Sequence, residues 1–270
     1  MSTLNTIAPA PKIARLSPRS RAFGIILGFA GAGVANVALG YSAFSFWTRQ
    51  TKFVPYSPSP AENADLTLPV FQQHNPLGNT AICIDHAVRT VPLAKLKTTE
   101  LGGTEGLTTQ FCRGVWSGAG YAYQRRYLEK KYRGLEGRDK DVWDREDLGK
   151  SAYEVGTRIT DHFEVVEHGE DRVVVRCGDS PHNAGLRPSD GLFSMEVTKD
   201  EDKGIATFHL KSVFVNTTEE GRNSVPLNWR FQFAHRLYTK LWMETAVRNV
   251  MKTARQAEEK EGERVAQKSV

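Results

Sequence analysis

Between Ala22 and Thr48 the chain carries no charged residue, no Asp or Glu stands before Glu62, and Lys12, Arg15, Arg19 and Arg21 crowd ahead of the uncharged run. A helix rises ~1.5 Å per residue, so about 20 residues cross a hydrocarbon core of roughly 30 Å. Residues 22–48 are therefore predicted to form one transmembrane helix behind a basic segment, residues 1–21. The run exceeds the ~7–15 apolar residues of a secretory signal. It closes on Phe44, Phe46 and Trp47, with Arg49 and Lys52 beyond, which is the composition of an interfacial anchor. The excess of basic residues ahead of the run predicts a cytosolic amino terminus and a single-pass protein whose bulk crosses the membrane. An acid-free start rich in Arg and Ser also suits a mitochondrial presequence. Pro9, Pro11 and Pro18 interrupt the amphipathic helix such a presequence needs, so an endomembrane location is favoured over a mitochondrial one. The sequon Asn216-Thr217-Thr218 is compatible with luminal exposure.

Within the run Gly24, Gly28, Ala32 and Asn36 recur every four residues, a stripe that lets two helices approach closely. A homo-oligomer or a partner helix is the expectation. Composition limits the rest: 36 Lys+Arg against 31 Asp+Glu, with 40% hydrophobic and 10% aromatic residues, excludes a disordered chain and a polytopic transporter. Much of the positive surplus flanks the apolar run and the remaining charges are interspersed, so no nucleic-acid partner is expected. Cys83, Cys112 and Cys177 are widely spaced without a C-x-x-C, which specifies neither a disulfide framework nor a thiolate zinc site. The sequence has no G-x-S-x-G, H-E-x-x-H or P-loop, and neither cofactor nor metal is predicted.

Residues 49–79, with Pro55, Pro58, Pro60, Pro69 and Pro76, read as an extended linker. A domain is predicted over residues 80–252, followed by a charged tail, residues 253–270. The domain opens on an alternating strand from Thr80 to Val91, and the second half of Phe111–Tyr132 is predicted helical. The mixed charges of Glu136–Lys150 read as a solvated loop. Strands follow at Gly156–Glu167, Arg172–Cys177, Leu192–Thr198 and Ile205–Val215, and the helical spacing of apolar residues from Pro226 to Met251 predicts a long amphipathic helix. The fold class is α+β, an antiparallel sheet closed by a long carboxyl-terminal helix.

That element order resembles the START-like, polyketide-cyclase type of helix-grip domain. The resemblance implies a curved antiparallel sheet wrapping the last helix around a hydrophobic cavity. It also implies binding of a lipid, terpenoid or polyketide, sometimes with cyclisation, isomerisation or dehydration of the bound molecule.

Candidate site residues are polar groups on apolar faces. His86 shares its strand face with Ile82, Ile84 and Val88, and Asp161 shares its own with Ile159, Phe163 and Val165, so both are expected to point inward as an acid–base pair. By the same alternation His162, Glu196 and His209 are expected to face outward. Arg113, Trp116, Tyr121 and Tyr123 are candidates to hold a carboxylate, enolate or ketone oxygen of a substrate. Three classes of function remain open: a cofactor-independent cyclase, dehydratase or isomerase, a non-catalytic assembly or scaffold factor of an organelle membrane, and a lipid carrier.

Overall fold

The computed structural model describes residues 36–96 and 106–268. These fall into two units, one ending at Trp47 and one beginning at Thr48. In the first, residues 36–47 form helix α1. Among the described residues no helix is long and apolar enough to cross a membrane. Most of the expected spanning segment, with Gly24, Gly28 and Ala32, lies outside the described residues. Asn36 opens α1 and is exposed.

The second unit is α+β. Its strands are β1 (Lys52–Val54), β2 (Cys83–Pro92), β3 (Arg158–Ile159), β4 (Phe163–His168), β5 (Arg172–Gly178), β6 (Asp190–Asp200) and β7 (Ile205–Val215). Its helices are α2 (Pro69–His74), α3 (Leu107–Trp116), α4 (Ala122–Tyr132), α5 (Arg145–Lys150) and α6 (Trp229–Lys268). The strands form one open antiparallel sheet in the order β1-β2-β7-β6-β5-β4-β3. The first long strand thus pairs with the last. β6 and β7 form a hairpin whose turn closes on Gly204, at φ +62°, a conformation that favours glycine.

Alternation along the strands separates two cores. The inner face presents Ala87 and Val91 of β2, Phe208 and Leu210 of β7, Phe193 and Met195 of β6, and Val173 and Val175 of β5, against α3 and α6. Its centre is aromatic: the Trp116 ring meets Tyr121, Phe163 and Trp242 at centroid distances of 5.1, 4.8 and 5.4 Å. Stacked obliquely, such rings contribute beyond their buried area. α3 lies so close to α6 that a Cβ on Gly114 would come within 2.7 Å of the Ala246 carbonyl oxygen, which is why glycine stands there.

The outer face is also buried. Val70 and Phe71 of α2 pack with Val174, Leu192, Val213 and Val215, joined by Leu66, Leu68 and Tyr56. The Pro-rich residues 49–79 are therefore a strap folded on the sheet instead of a free stalk. The Glu136–Lys150 stretch likewise contributes buried Asp141, Trp143 and Leu148, where a solvated loop was expected. The charged tail continues α6, which runs 40 residues to Lys268.

One buried ion pair and one imidazole–carboxylate contact join β2 to α6. Arg89 reaches Glu244 at 2.8 Å, both side chains buried, and Thr51 donates to the same carboxylate at 2.9 Å. His235 lies 3.0 Å from the buried Asp85. Removing one partner of such a pair leaves an uncompensated buried charge. Arg89→Ala is expected to cost about 3–5 kcal/mol in urea unfolding, whereas Arg89→Met combined with Glu244→Leu recovers most of that loss. A double variant no more stable than the single would contradict this role.

Candidate functional site

A cavity of about 230 Å³ lies between the inner sheet face and the first half of α6. Its walls are Phe163, Phe193, Phe214, Trp242 and Cys177, and its polar groups are Gln124, His162, His235, Tyr238 and Thr239. Burial pushes the Cys177 thiol up to about 12, so it stays a neutral wall. The half-exposed lining residues Gln124, His162, His235 and Tyr238 place the opening between α4 and α6.

His162 follows a tight turn between β3 and β4, where Thr160 and Asp161 hold φ of +47° and +68°. Such values are unfavourable for non-glycine residues, above all for β-branched Thr, and are kept only where surroundings enforce them. Both residues are fully buried and anchored: the Thr160 and Tyr121 hydroxyls hydrogen-bond, and Arg138 Nε donates to Asp161 Oδ1 at 2.7 Å. The other carboxylate oxygen lies 3.0 Å from His162 Nδ1, within ion-pair distance but off the line of a full hydrogen bond. Tyr132 packs on the imidazole at 4.6 Å. Burial holds the His162 pKa below its ordinary value of 6.5, and Asp161 pulls it partly back. The ring is therefore neutral near pH 7, with Asp161 beside Nδ1 and Nε2 as its other nitrogen, the arrangement of an oriented general base.

His235 repeats the pattern from α6. Its Nε2 faces Asp85 Oδ2 at 3.0 Å, again without full hydrogen-bond alignment, and Phe214 meets the ring edge-on at 5.2 Å. Tyr238, one turn further, donates to Gln124 Oε1 at 2.9 Å. Burial raises its pKa to about 12 against the lowering effect of the Trp242 indole, so the phenol remains a proton donor.

Asp141, Asp161 and His182 bring potential ligand atoms within 4.8 Å of one another. Arg158 Nε already pairs with Asp141 at 2.8 Å, and Arg138 with Asp161. With both carboxylates neutralised the cluster is an ion network bracing the His162 turn, and it has little charge left to offer a cation.

The residues predicted from sequence fall in different places. Asp161 is buried at the turn, as its apolar neighbours indicated. His86 is not beside it: it lies on the outer face, with Nε2 2.9 Å from His209 Nδ1. Three strands separate β2 from β4, roughly 19 Å at ~4.8 Å per step, so a His86–Asp161 pair is excluded. The inward assignment fails because the outer face is itself covered by the strap, so that Ile84 is partly buried against it, while β2's inner face carries Asp85 and Arg89 facing α6. Trp116 and Tyr121 come together in the aromatic core behind the cavity. Arg113 instead caps α5, donating to the Lys150 and Ser151 carbonyls at 3.0 Å each. Tyr123 is 84% exposed. The expectation missed His162, placed outward by an unbroken-strand reading, and His235. For His235 a signal existed: Phe231, His235, Tyr238 and Trp242 fall on one helical stripe.

A second cavity, about 260 Å³, lies under the strap among Leu66, Phe71, Leu192 and Val213. Its carboxylate, Asp190, is held bidentately by Arg176, and its imidazole, His74, is kept below its ordinary pKa by burial. No family model, curated protein or solved structure matches the chain.

Two outcomes follow. Burial and the neighbouring His209 and Lys211 depress His86 to about 4, and burial depresses His209. The unfolded chain then takes up protons that the folded one refuses, so stability falls as pH drops from about 6.5 towards 4. Replacing both histidines with Gln reduces that slope in pH-dependent thermal unfolding; an unchanged slope would contradict it. In an NMR titration His162 has a midpoint below 6.5, and Asp161→Asn, which removes the raising charge, moves it lower still. A midpoint that rises would refute the pairing.

Proposed function

We propose that this chain binds a hydrophobic small molecule in the cavity between the sheet and α6 and moves a proton on it. The observation that carries the reading is an aromatic-walled cavity with a neutral imidazole, His162, 3.0 Å from a buried and Arg-anchored carboxylate. Perturbed titratable groups beside an apolar cavity are a recognised mark of a functional site. The resemblance to START-like helix-grip domains is supported by the pairing of the first long strand with the last and by α6 packed on the inner face.

In this reading His162 takes a proton from a carbon or hydroxyl of the ligand, Asp161 positions and stabilises the imidazolium, and Tyr238 turns its hydroxyl from Gln124 to donate to a ligand oxygen. Isomerisation, dehydration or cyclisation of a terpenoid or polyketide is the matching reaction class, since each needs one base and one donor and no redox cofactor. At about 230 Å³ the cavity is smaller than the roughly 300–1,000 Å³ of drug-sized sites, which favours a compact ring system over a long acyl chain. The uncharged run from Ala22 to Thr48 supports anchorage in an endomembrane, where such molecules partition.

The test uses the full chain. Phe193→Trp fills the cavity and should abolish the fluorescence gain of the dye 8-anilinonaphthalene-1-sulfonate. His162→Gln should leave dye binding within about twofold yet lower turnover, read as product peaks from a host metabolite extract, by about 10²–10⁴-fold. Turnover that survives His162→Gln would reject the proton-transfer role. Binding without turnover in the unmodified chain would leave a carrier.

A further inference from the structure

The opening of the cavity is bordered by exposed aromatic and basic side chains on two helices. On α4, Tyr123 is 84% and Tyr127 55% exposed, and with exposed Arg126 and Lys130 they form one ridge at i, i+4, i+3 and i+7. At the start of α6, Val225 and Trp229 are 76% and 71% exposed, and Phe231 is 47% exposed. The two helices meet at the mouth, through the Tyr238–Gln124 hydrogen bond. Cations sit directly on the rings: Lys131 lies 5.8 Å from the Tyr127 ring and Arg230 lies 5.6 Å from that of Trp229.

Charge is one-sided here. From Val225 to Met243 the sequence holds Arg230, Arg236 and Lys240 and no acid, and on α4 Glu129 alone faces Arg125, Arg126, Lys130 and Lys131. Exposed Trp and Tyr interleaved with Lys and Arg match the headgroup zone of a bilayer, where rings reach the acyl boundary and cations meet anionic lipid. The uncharged run that ends at Thr48 is joined directly to this unit, and inserted in a membrane it would tether the domain to such a surface.

We propose that this rim is a docking surface for an anionic lipid bilayer, pressing the cavity mouth onto the membrane so that a ligand passes from lipid to site without crossing water. The inference rests on the cavity reading of the preceding subsection. Its occupant is the bilayer itself, because the exposed aromatics stand on the two helices that supply the cavity's half-buried lining residues Gln124, His235 and Tyr238. A single-stranded nucleic acid would use the same residue types as a stacking platform, and is the outcome that opposes it.

The full chain is placed in vesicles of phosphatidylcholine with about 30% phosphatidylserine. The native cysteines are buried, so a single exposed cysteine at Tyr123→Cys, Asn228→Cys or Lys203→Cys takes an environment-sensitive fluorophore selectively. Doxyl-labelled lipid should quench the labels at 123 and 228 several-fold more than the label at 203, in the β6–β7 turn. Omitting phosphatidylserine should reduce that quenching by about half or more. Adding Trp229→Glu and Phe231→Glu to Asn228→Cys should bring position 228 down to the level of 203. Equal quenching at the three sites, or a poly-U oligonucleotide that protects 123 and 228 while lipid does not, would overturn the proposal. Dye binding in the cavity is read separately and is expected to survive the rim variants, so failure of docking and failure of the cavity are distinguishable.

Discussion

The placement of α6 depends on two charges that β2 buries on its inner face. Asp85 and Arg89 are four residues apart on the strand, about 13.6 Å at ~3.4 Å per residue. Their partners His235 and Glu244 are nine apart on the helix, about 13.5 Å at ~1.5 Å per residue. The two spacings agree and the order is the same, so both pairs close at once only if α6 lies along β2 in one register and direction. A hydrophobic face alone would tolerate sliding by a turn. Buried charges do not, because each shift would strand a carboxylate or a guanidinium.

That register puts Trp242 between the two pairs and over the aromatic cluster, and it leaves the first half of α6 spaced from the sheet where α4 leans against it. The cavity occupies that gap. The Asp85 contact that helps orient α6 therefore also sets one imidazole, His235, at the cavity wall, while the strained Thr160–Asp161 turn sets the other. Strain at this turn is held by Tyr121 and Arg138, and its effect is to hold a carboxylate 3.0 Å from His162 Nδ1.

Much of the fold was legible because period and chemistry agreed. The β5 and β7 strands and the long helix follow directly from alternation and helical spacing, and Cys177 lies on the inner face with Val173 and Val175 as expected. Reading failed where one residue type had two explanations. Ile84 looks like a core residue but is only partly buried, and against the strap, a layer that the prolines disguised as a linker. Assigning its face as inward carried His86 the wrong way and hid Asp85. Gly156–Glu167 alternates well enough to pass for one strand, and nothing local in Thr160-Asp161-His162 announces a left-handed turn. Asp161 is buried within 3.0 Å of an imidazole, but that imidazole is His162 and not the expected His86. Which histidine it meets depends on a reversal that only the folded chain displays.

Whether the space between the sheet and α6 holds a ligand is read by native mass spectrometry of the full chain after incubation with a lipid and metabolite extract of its own host. The account predicts a stoichiometric adduct of one compact apolar molecule, present in the unmodified chain and missing when Phe193 is enlarged to Trp. A folded chain that emerges without any adduct, or whose adduct persists unchanged in the Phe193→Trp variant, would contradict it.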